Sequence, residues 1–556
     1  MANFDEVVDF IVVGSGGGSM CSALYAAAQG KKVLILEKSE LVGGTTARSG
    51  GVMWIPNNPF LKRDGIEDSY ENAVTYLDGL AAEHGGDTPA STPERRHGYV
   101  AEAPKMIEFL LAQGIKVDRF PYWPDYYDER VGGLETGRCV VADLFDVNEL
   151  GEWKQKLRPG FLAVPAMLEE ALVLPNFKRS WASAKVMLRV IGRLIKAKLT
   201  GKNFVSAGAA LQGRLLQQLL NAGVEIRTES AVSELVVENA AVTGVVIQQD
   251  GKPYRIAATQ GVMVGAGGFA HNQRLRDQYL PGTSTMWTSA APTDTGEMIE
   301  EMMRIGAATA HMDEVVGNQC TLPPGSKLGE VRETVQSVTA KPHAILVDQS
   351  GVRYMNEGGS YMAYQKGMME RNKTVAAVPS WAVLDSQYMK KYMLAGTMPG
   401  STKPKSWYEQ GYLHKADSIE SLAQSINADP NNLQASVTRF NGFVEKNVDK
   451  DFKRGERAYD CWLGDSLHQP SQTLGKIEQP PFYAVAVYPG DVSTFGGVVT
   501  DSSARVLRED GSVITGLYAT GVSTASAMGR FYPGAGSSVG PALTWGYVAA
   551  KHATSQ

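Results

Sequence analysis

The stretch Asp9-Phe-Ile-Val-Val-Gly14-Ser-Gly16-Gly-Gly-Ser19 decides the fold. Asp9 to Val13 is an unbroken apolar run after one acid, which reads as a buried strand. Glycines follow at once in the pattern Gly14-x-Gly16-x-x-Ser19. The next segment, MCSALYAAAQGKK, is small and apolar with good helix formers, and KKVLILEK is a second buried strand ending at Glu37. Strand, glycine turn, helix and strand together make a βαβ dinucleotide-binding unit. Gly14 makes the tight turn and Gly16 lets the backbone approach a pyrophosphate. The helix start, with Ser15, Gly18 and Ser19, faces the phosphates. Glu37, 23 residues after Gly14, is placed to accept from ribose hydroxyls, with Lys38 beside it. Ser19 stands where a third glycine is usual and is small enough for the helix to pack on the strand.

Working outward, the chain has 556 residues, enough for two to four domains at roughly 150 each. Of these, 59 are glycine, about 20 more than the usual share of about 7%. They form no repeat, which excludes a fibrous or low-complexity reading. A net charge of -5 argues against a general nucleic-acid binder. The four cysteines (Cys21, Cys139, Cys320, Cys461) contain no CxxC pair, and the eight histidines contain no HExxH. That fits a reducing compartment and predicts no metal site. The start, MANFDEVVDF, is acidic and does not read as a signal peptide. There is no run of 18 apolar residues to cross a membrane. A cytoplasmic protein is expected, at most bound to the inner face of the cell membrane.

Two further segments make the dinucleotide a flavin. Val42-Gly43-Gly44-Thr45-Thr46-Ala47-Arg48-Ser49-Gly50-Gly51 offers backbone amides and small hydroxyls to a pyrophosphate and a flavin edge. Gly516-Leu-Tyr-Ala-Thr-Gly521 resembles the strand and turn that close FAD sites near the C-terminus of flavoproteins with two dinucleotide folds. An NAD-only dehydrogenase needs neither. Gly265-x-Gly267-x-x-Ala270 has the form of another nucleotide site, yet no second strand ending in an acid follows it. It reads instead as a turn near the adenine, contributed by Ala266 and Gly267. Residues 209–270 read as a helix and then strands at VEIRT, AVSELVVE, AVTGVVIQQ, KPYRIAA and GVMVGAG, with the backbone at Val232 meeting the adenine.

The remaining organisation follows from composition. Residues 1–288 and 489–556 read as one discontinuous FAD-binding domain. Residues 289–488, richer in Met, Trp and Tyr, read as an inserted substrate-capping domain. Within the first part, about 146–205 reads as an insertion. From Ala171 to Val224 there is no acid, while Lys178, Arg179, Lys185, Arg189, Arg193, Lys196, Lys198 and Lys202 are basic. On a helix, Lys185, Arg189, Arg193 and Lys196 share roughly an 80° arc, with apolar residues on most of the other side. That is the pattern of an interfacial helix on anionic lipid, and equally of a surface helix packing its apolar side on the protein.

Six motifs, GSGGGSM (14–20), GGTTARSGGVMW (43–54), WPDY (123–126), NEGGSY (356–361), PGDVSTFGG (489–497) and GRFYPGAGSSVGPALTWGY (529–547), carry a resemblance. The chain resembles the FAD-dependent 3-ketosteroid Δ1-dehydrogenases, within the fumarate-reductase- and succinate-dehydrogenase-like flavoproteins. The resemblance implies an α/β fold: a Rossmann-type FAD-binding domain with an inserted α+β catalytic domain. It implies that Tyr361 removes a proton from C2 of the steroid A ring and that Tyr126 hydrogen-bonds Tyr361. Tyr532 and the Gly536 amide would hold the C3 carbonyl oxygen, and the flavin would take hydride from C1. Ser538 and Val539, in the same motif, would contact the flavin. The sequence departs from the family in Ser19 and in lacking a proline before Tyr361. The long insertion and the basic helix point to a substrate with an apolar tail, such as cholest-4-en-3-one. The absence of a second nucleotide fold points to reoxidation by a quinone or carrier. Three alternatives stay open: a Δ4-(5α)-dehydrogenase, a fumarate-reductase-like unsaturated-acid reductase, and a flavin-binding protein without turnover. The YPGAG turn favours Δ1, and tyrosines in place of carboxylate-binding cations favour a neutral ketone.

Overall fold

The structure is a computed structural model that describes residues 4–162 and 164–556. At its centre lies the sheet that the first strand nucleates. Glu6–Val13 pairs in parallel with Val33–Leu36 on one side and with Lys252–Val264 on the other. Glu225–Arg227 extends the sheet beyond Val33–Leu36, and Val513–Ala519 extends it beyond Lys252–Val264, both in parallel. Parallel strands are covered on both faces, so they are nearly continuous apolar runs; Phe10, Ile11 and Val12 are fully buried.

The strands expected at KPYRIAA and GVMVGAG are one strand, Lys252–Val264. Gly261, at φ 122°, absorbs a bulge opposite Val8 and Phe10 without breaking the pairing. The first half of this strand also pairs antiparallel with Ala241–Gln249, and that strand with Val232–Glu238. The first strand begins at Glu6 rather than Asp9.

Helix Gly17–Ala28 packs between the sheet, the C-terminal helix Val539–Thr554 and helix Ala207–Asn221. The crossing is close because it is made of glycine. A Cβ at Gly18 would lie 2.4 Å from the Ala542 carbonyl oxygen, and one at Gly546 would lie 2.2 Å from the Gly18 oxygen. Alanine at either position would force the two helices apart.

A second sheet holds Ala344–Val347, Ser380–Leu384, Phe482–Val487 and Leu413–Ala416, all antiparallel. Its side chains alternate between two cores. Ile345, Val347 and Val383 face helices Ile419–Ser425 and Pro430–Glu445. Leu346, Ala382, Leu384 and Val485 face Tyr364 and Met368 of helix Tyr361–Asn372. That helix is thereby fixed on the sheet, with its first residue directed back to the dinucleotide domain. Strand Val315–Gly317, paired with Asp491–Thr494, ties the two sheets' surroundings together.

The segment expected to be an insertion is bracketed by one short ladder, Phe145–Asp146 with Phe204–Val205. Between them helix Trp181–Thr200 starts at the cap Ser180 and stops at Gly201, in the left-handed region at φ 68°. It buries only Ser183, Val190 and Ala197, one line along a single face. Its large apolar residues point away from the protein: Trp181 is 72% exposed, Leu188 61%, Ile195 57% and Leu199 82%. The surface-packing alternative therefore does not hold for these residues. The cationic arc is also thinner than expected, because Arg193 and Arg189 pair with Glu170 at 2.6 and 3.5 Å. Lys185, Lys196 and Lys198 are exposed beside the apolar stripe.

Candidate active site

A cleft runs from the end of the second strand, over the start of the first helix, to the C-terminal helix. The sequence-predicted residues Gly14, Ser15, Gly16, Gly18, Ser19, Glu37, Lys38, Gly44, Thr45, Thr46, Ser49, Val232, Ala266, Gly267, Gly521, Ser538 and Val539 all line it. Gly43, Gly50 and Gly51 do not; they lie behind the lining. Gly43 donates to the Ser15 hydroxyl at 3.0 Å, holding that serine at the cleft wall. Gly51, at φ 62°, meets the backbone of Gly208.

Glu37 is held from both sides. One carboxylate oxygen accepts from the Ser15 amide and hydroxyl at 3.1 and 2.6 Å, the other from the Ser39 amide at 2.9 Å. A carboxylate offers about four acceptor positions, so capacity remains for ribose hydroxyls. Ser19 donates to the Gly265 carbonyl at 3.1 Å, which pins the helix to the turn after Lys252–Val264.

Sequence reasoning missed several lining residues, of which Asp294 is the most informative. It is buried beside Gly267 and the Gly268 amide, and neither carboxylate oxygen makes a hydrogen bond of ordinary geometry among the described residues. Burial pushes its pKa up to about 7. A buried acid so weakly partnered is costly, and Asp294 lines the cleft, where a ligand with hydroxyl donors would satisfy it. Ser230, Thr293 and Ser493 add further polar groups. The signal in the sequence, Thr293-Asp-Thr-Gly296, is that of an ordinary turn. The cleft thus presents unpaired first-turn amides at one place and carboxylates at another. That donor set fits FAD, whose diphosphate takes the amides and whose ribose takes the acids.

Beyond Ser538 the three predicted tyrosines converge. Tyr126 and Tyr361 meet edge to face with ring centroids 5.2 Å apart, Tyr361 and Tyr532 are also 5.2 Å apart, and Tyr126 and Tyr532 are 5.9 Å apart. Tyr126 and Tyr532 are buried, while Tyr361 is partly exposed. Each is placed by a different element. Tyr361 is the first residue of helix Tyr361–Asn372, whose cap Ser360 accepts from the Ala363 amide; a phenolate there sits at the positive end of the helix dipole. The Tyr361 carbonyl takes a hydrogen bond from Gln319 at 2.5 Å.

Tyr126 and the Tyr532–Gly536 turn are built as one unit. The Tyr126 amide and the Tyr76 hydroxyl both donate to the Pro533 carbonyl, at 2.9 and 2.7 Å. Neighbouring Asp125 accepts from the Trp54 indole at 2.7 Å and pairs with Arg138 at 3.0 Å. Gly534 packs directly on the Trp54 ring.

The hydroxyls are electrostatically coupled. Burial and then Tyr532 push the Tyr361 pKa well above the usual phenol range, and the nearness of Tyr126 pulls it back. Burial also raises Tyr126 and Tyr532. The Tyr126 hydroxyl is buried and makes no hydrogen bond of ordinary geometry among the described residues. The Tyr532 hydroxyl accepts from the Ser538 amide at 3.1 Å and lies 2.9 Å from the Ser538 hydroxyl. With Ser538 as the donor in both contacts, the Tyr532 proton can turn to a ligand. Gly536, buried at φ 91°, accepts at its carbonyl from Trp54 and Gly540, but its amide donates to no described group. An unpaired buried N–H is rare and expects a partner.

Comparison with known proteins agrees with this architecture. The FAD binding domain family model matches residues 9–539. A 3-oxosteroid 1-dehydrogenase of Mycobacterium tuberculosis is 37% identical, covering 99% of this chain and 98% of its own. The crystal structure of 3-ketosteroid Δ1-dehydrogenase from Sterolibacterium denitrificans, in complex with 1,4-androstadiene-3,17-dione, superposes with a TM-score of 0.92 at 33% identity, over 99% of this chain and all of that one. A flavocytochrome c3 fumarate reductase shares the fold at a TM-score of 0.63 and 20% identity, over all of this chain and 79% of that one. The chain belongs to the 3-oxosteroid 1-dehydrogenase family of FAD-binding flavoproteins.

Proposed function

We propose that this chain desaturates the A ring of a 3-ketosteroid, turning a 4-ene-3-one into a 1,4-diene-3-one. The observation that carries the reading is the meeting of three tyrosines with the unpaired Gly536 amide next to the flavin cleft. FAD, when bound, supplies the acceptor for the hydride that leaves C1. The chain's own residues handle the rest. The C3 carbonyl oxygen sits between the Tyr532 hydroxyl and the Gly536 amide, which hold the negative charge as the enolate forms. Tyr361, as phenolate, takes the proton from C2, and the C–H electron pair becomes the new C1–C2 double bond. Tyr126 donates to the Tyr361 oxygen and stabilises its anion, which is the role a buried hydroxyl without another partner can fill.

The Δ4-(5α) alternative is separated by product. With an artificial electron acceptor, a 4-ene-3-ketosteroid should give the 1,4-diene-3-one. Conversion of a 5α-saturated ketone to the 4-ene alone would overturn the Δ1 reading. For reoxidation we infer a quinone or similar carrier, since no second dinucleotide site is present in the sequence.

We further infer that helix Trp181–Thr200 lies on an anionic membrane surface and delivers substrates with a long apolar side chain, of the cholest-4-en-3-one type. Its outward stripe of Trp181, Leu188, Ile195 and Leu199, flanked by Lys185, Lys196 and Lys198, supports this. No helix among the described residues is long and apolar enough to cross a membrane. The protein should pellet with anionic vesicles at low salt and be released at high salt. Leu188→Asp with Ile195→Asp should abolish pelleting while leaving activity on a short-chain ketosteroid. Equal pelleting of wild type with neutral vesicles, or none at all, would refute the contact.

A further inference from the structure

Tyr126 and Tyr361 come from different parts of the fold, so their spacing must be set by something that grips both. Helix Tyr361–Asn372 is anchored to the second sheet, whereas Tyr126 is anchored to the Pro533 turn. Segment 455–460 lies between them. The Arg457 guanidinium donates to the Tyr126 carbonyl at 3.4 Å and makes a two-pronged pair with Asp460 at 2.6 and 3.1 Å. Asp460, fully buried, also accepts from the Asn356 side chain at 3.1 Å and from the Gly455 amide at 3.0 Å. Asn356 in turn accepts from the Gly358 amide at 2.8 Å, and the Arg457 guanidinium lies against Gly359. Asn356 to Gly359 is the run that leads into Ser360 and Tyr361.

A second grip comes from the Tyr126 side. Asp128, two residues on, accepts from the amides of Ala458 and Tyr459 at 2.9 and 3.1 Å. That cap presses the Tyr459 ring against Tyr126, with centroids 4.4 Å apart, the closest approach in the tyrosine cluster. Tyr126 is thus held at its carbonyl by Arg457, through its neighbour Asp128, and at its ring by Tyr459. The loop before Tyr361 is held by the same segment through Asp460 and Arg457.

We propose that Asp128 and Arg457 are positioning residues that clasp segment 455–460 and thereby hold the Tyr126 hydroxyl at the Tyr361 oxygen. The proposal rests on the reading of Tyr361 as base. Burying the Asp460 carboxylate is a costly way merely to fill space, and here the hydrogen bonds of Asp460 and its partner Arg457 end on the two stretches of chain that carry the phenols. The titratable groups facing Tyr361 are Tyr126, Tyr459 and Tyr532. Arg457 acts through Tyr126 and touches neither substrate nor cofactor.

The test is the pH dependence of kcat/KM on a 4-ene-3-ketosteroid for Asp128→Asn, Arg457→Gln, Arg457→Lys and Tyr126→Phe, each checked for flavin content and thermal midpoint. If the clasp presents Tyr126 to Tyr361, losing it raises the pKa at which the base ionises. The acid limb of the profile should then move up by roughly one pH unit, a tenfold change at fixed pH. KM should stay within about twofold, since no steroid contact is lost. Arg457→Lys, which keeps the charge but not the two-pronged geometry, should fall between wild type and Arg457→Gln. In the Tyr126→Phe background, Asp128→Asn should cost nothing further, because residues acting through one group are not additive. An unmoved acid limb in variants that keep their flavin, or a double variant whose loss is the product of the two single losses, would overturn the clasp. Full activity in Tyr361→Phe would instead remove the base itself, a separate failure.

Discussion

Tyr361→Phe should keep its FAD and lose about 10²–10⁴-fold in kcat, the range that one positioned general base contributes. The substitution deletes a single oxygen. The ring remains between Tyr126 and Tyr532, and helix Tyr361–Asn372 keeps its Ser360 cap and its Gln319 contact. None of the residues lining the flavin cleft is touched. Steroid binding should therefore persist, with KM nearly unchanged. The direction of the pH dependence follows from the same environment. Because burial and Tyr532 raise the Tyr361 pKa, the active phenolate is scarce at neutral pH. Wild-type kcat/KM should climb with pH across the neutral range, and Tyr361→Phe should lose that slope. Steady-state profiles of the two proteins, with flavin content measured by absorbance, check both statements.

Gly536→Ala should cost about 10²–10³-fold in kcat, the usual loss when one donor to a developing oxyanion is removed. Two effects combine at this residue. Its φ of 91° lies in the left-handed region, where a non-glycine residue is strained by about 1–3 kcal/mol. An added Cβ would also lie 2.3 Å from the Val52 carbonyl oxygen and 2.8 Å from the Met53 nitrogen. Both contacts are backbone, so the turn must move and the amide must swing away from the carbonyl site. The loss should appear in kcat more than in KM, with a lowered thermal midpoint. Normal turnover in Gly536→Ala would show that the carbonyl oxygen is held elsewhere.

The dinucleotide half of this site was legible in the sequence because its chemistry is local. Strand, glycine turn and helix follow one another between Glu6 and Ala28, and the acid at Glu37 closes the unit. The half proposed to be catalytic is not local. Tyr126, Tyr361 and Tyr532 are hundreds of residues apart, each one of 22 tyrosines, and only resemblance singled them out. Asp294 was invisible because its partner surface, Gly267, belongs to another segment and its turn looks ordinary. Asp128 and Arg457 were invisible for the same reason, since a charged residue in a loop gives no sign of what it grips. The basic helix was half legible. Its 3.6-residue pattern was clear, but periodicity alone does not say which face meets the protein, and the structure buries a narrow line of small residues while leaving the large apolar ones outside. Helix–helix contact shows the same limit: Gly18 and Gly546 are plain glycines in sequence and a single close crossing in space.

In the proposed reaction Tyr361 starts a dehydrogenation that ends on the flavin. Anaerobic mixing of a 4-ene-3-ketosteroid with the holoprotein and with Tyr361→Phe, followed by flavin absorbance and product analysis, tests it most directly. The wild-type flavin should bleach with formation of one equivalent of the 1,4-diene-3-one, while the flavin of Tyr361→Phe should stay oxidised with steroid bound. A wild-type flavin that does not bleach, or a Tyr361→Phe flavin that bleaches at the wild-type rate, would contradict it.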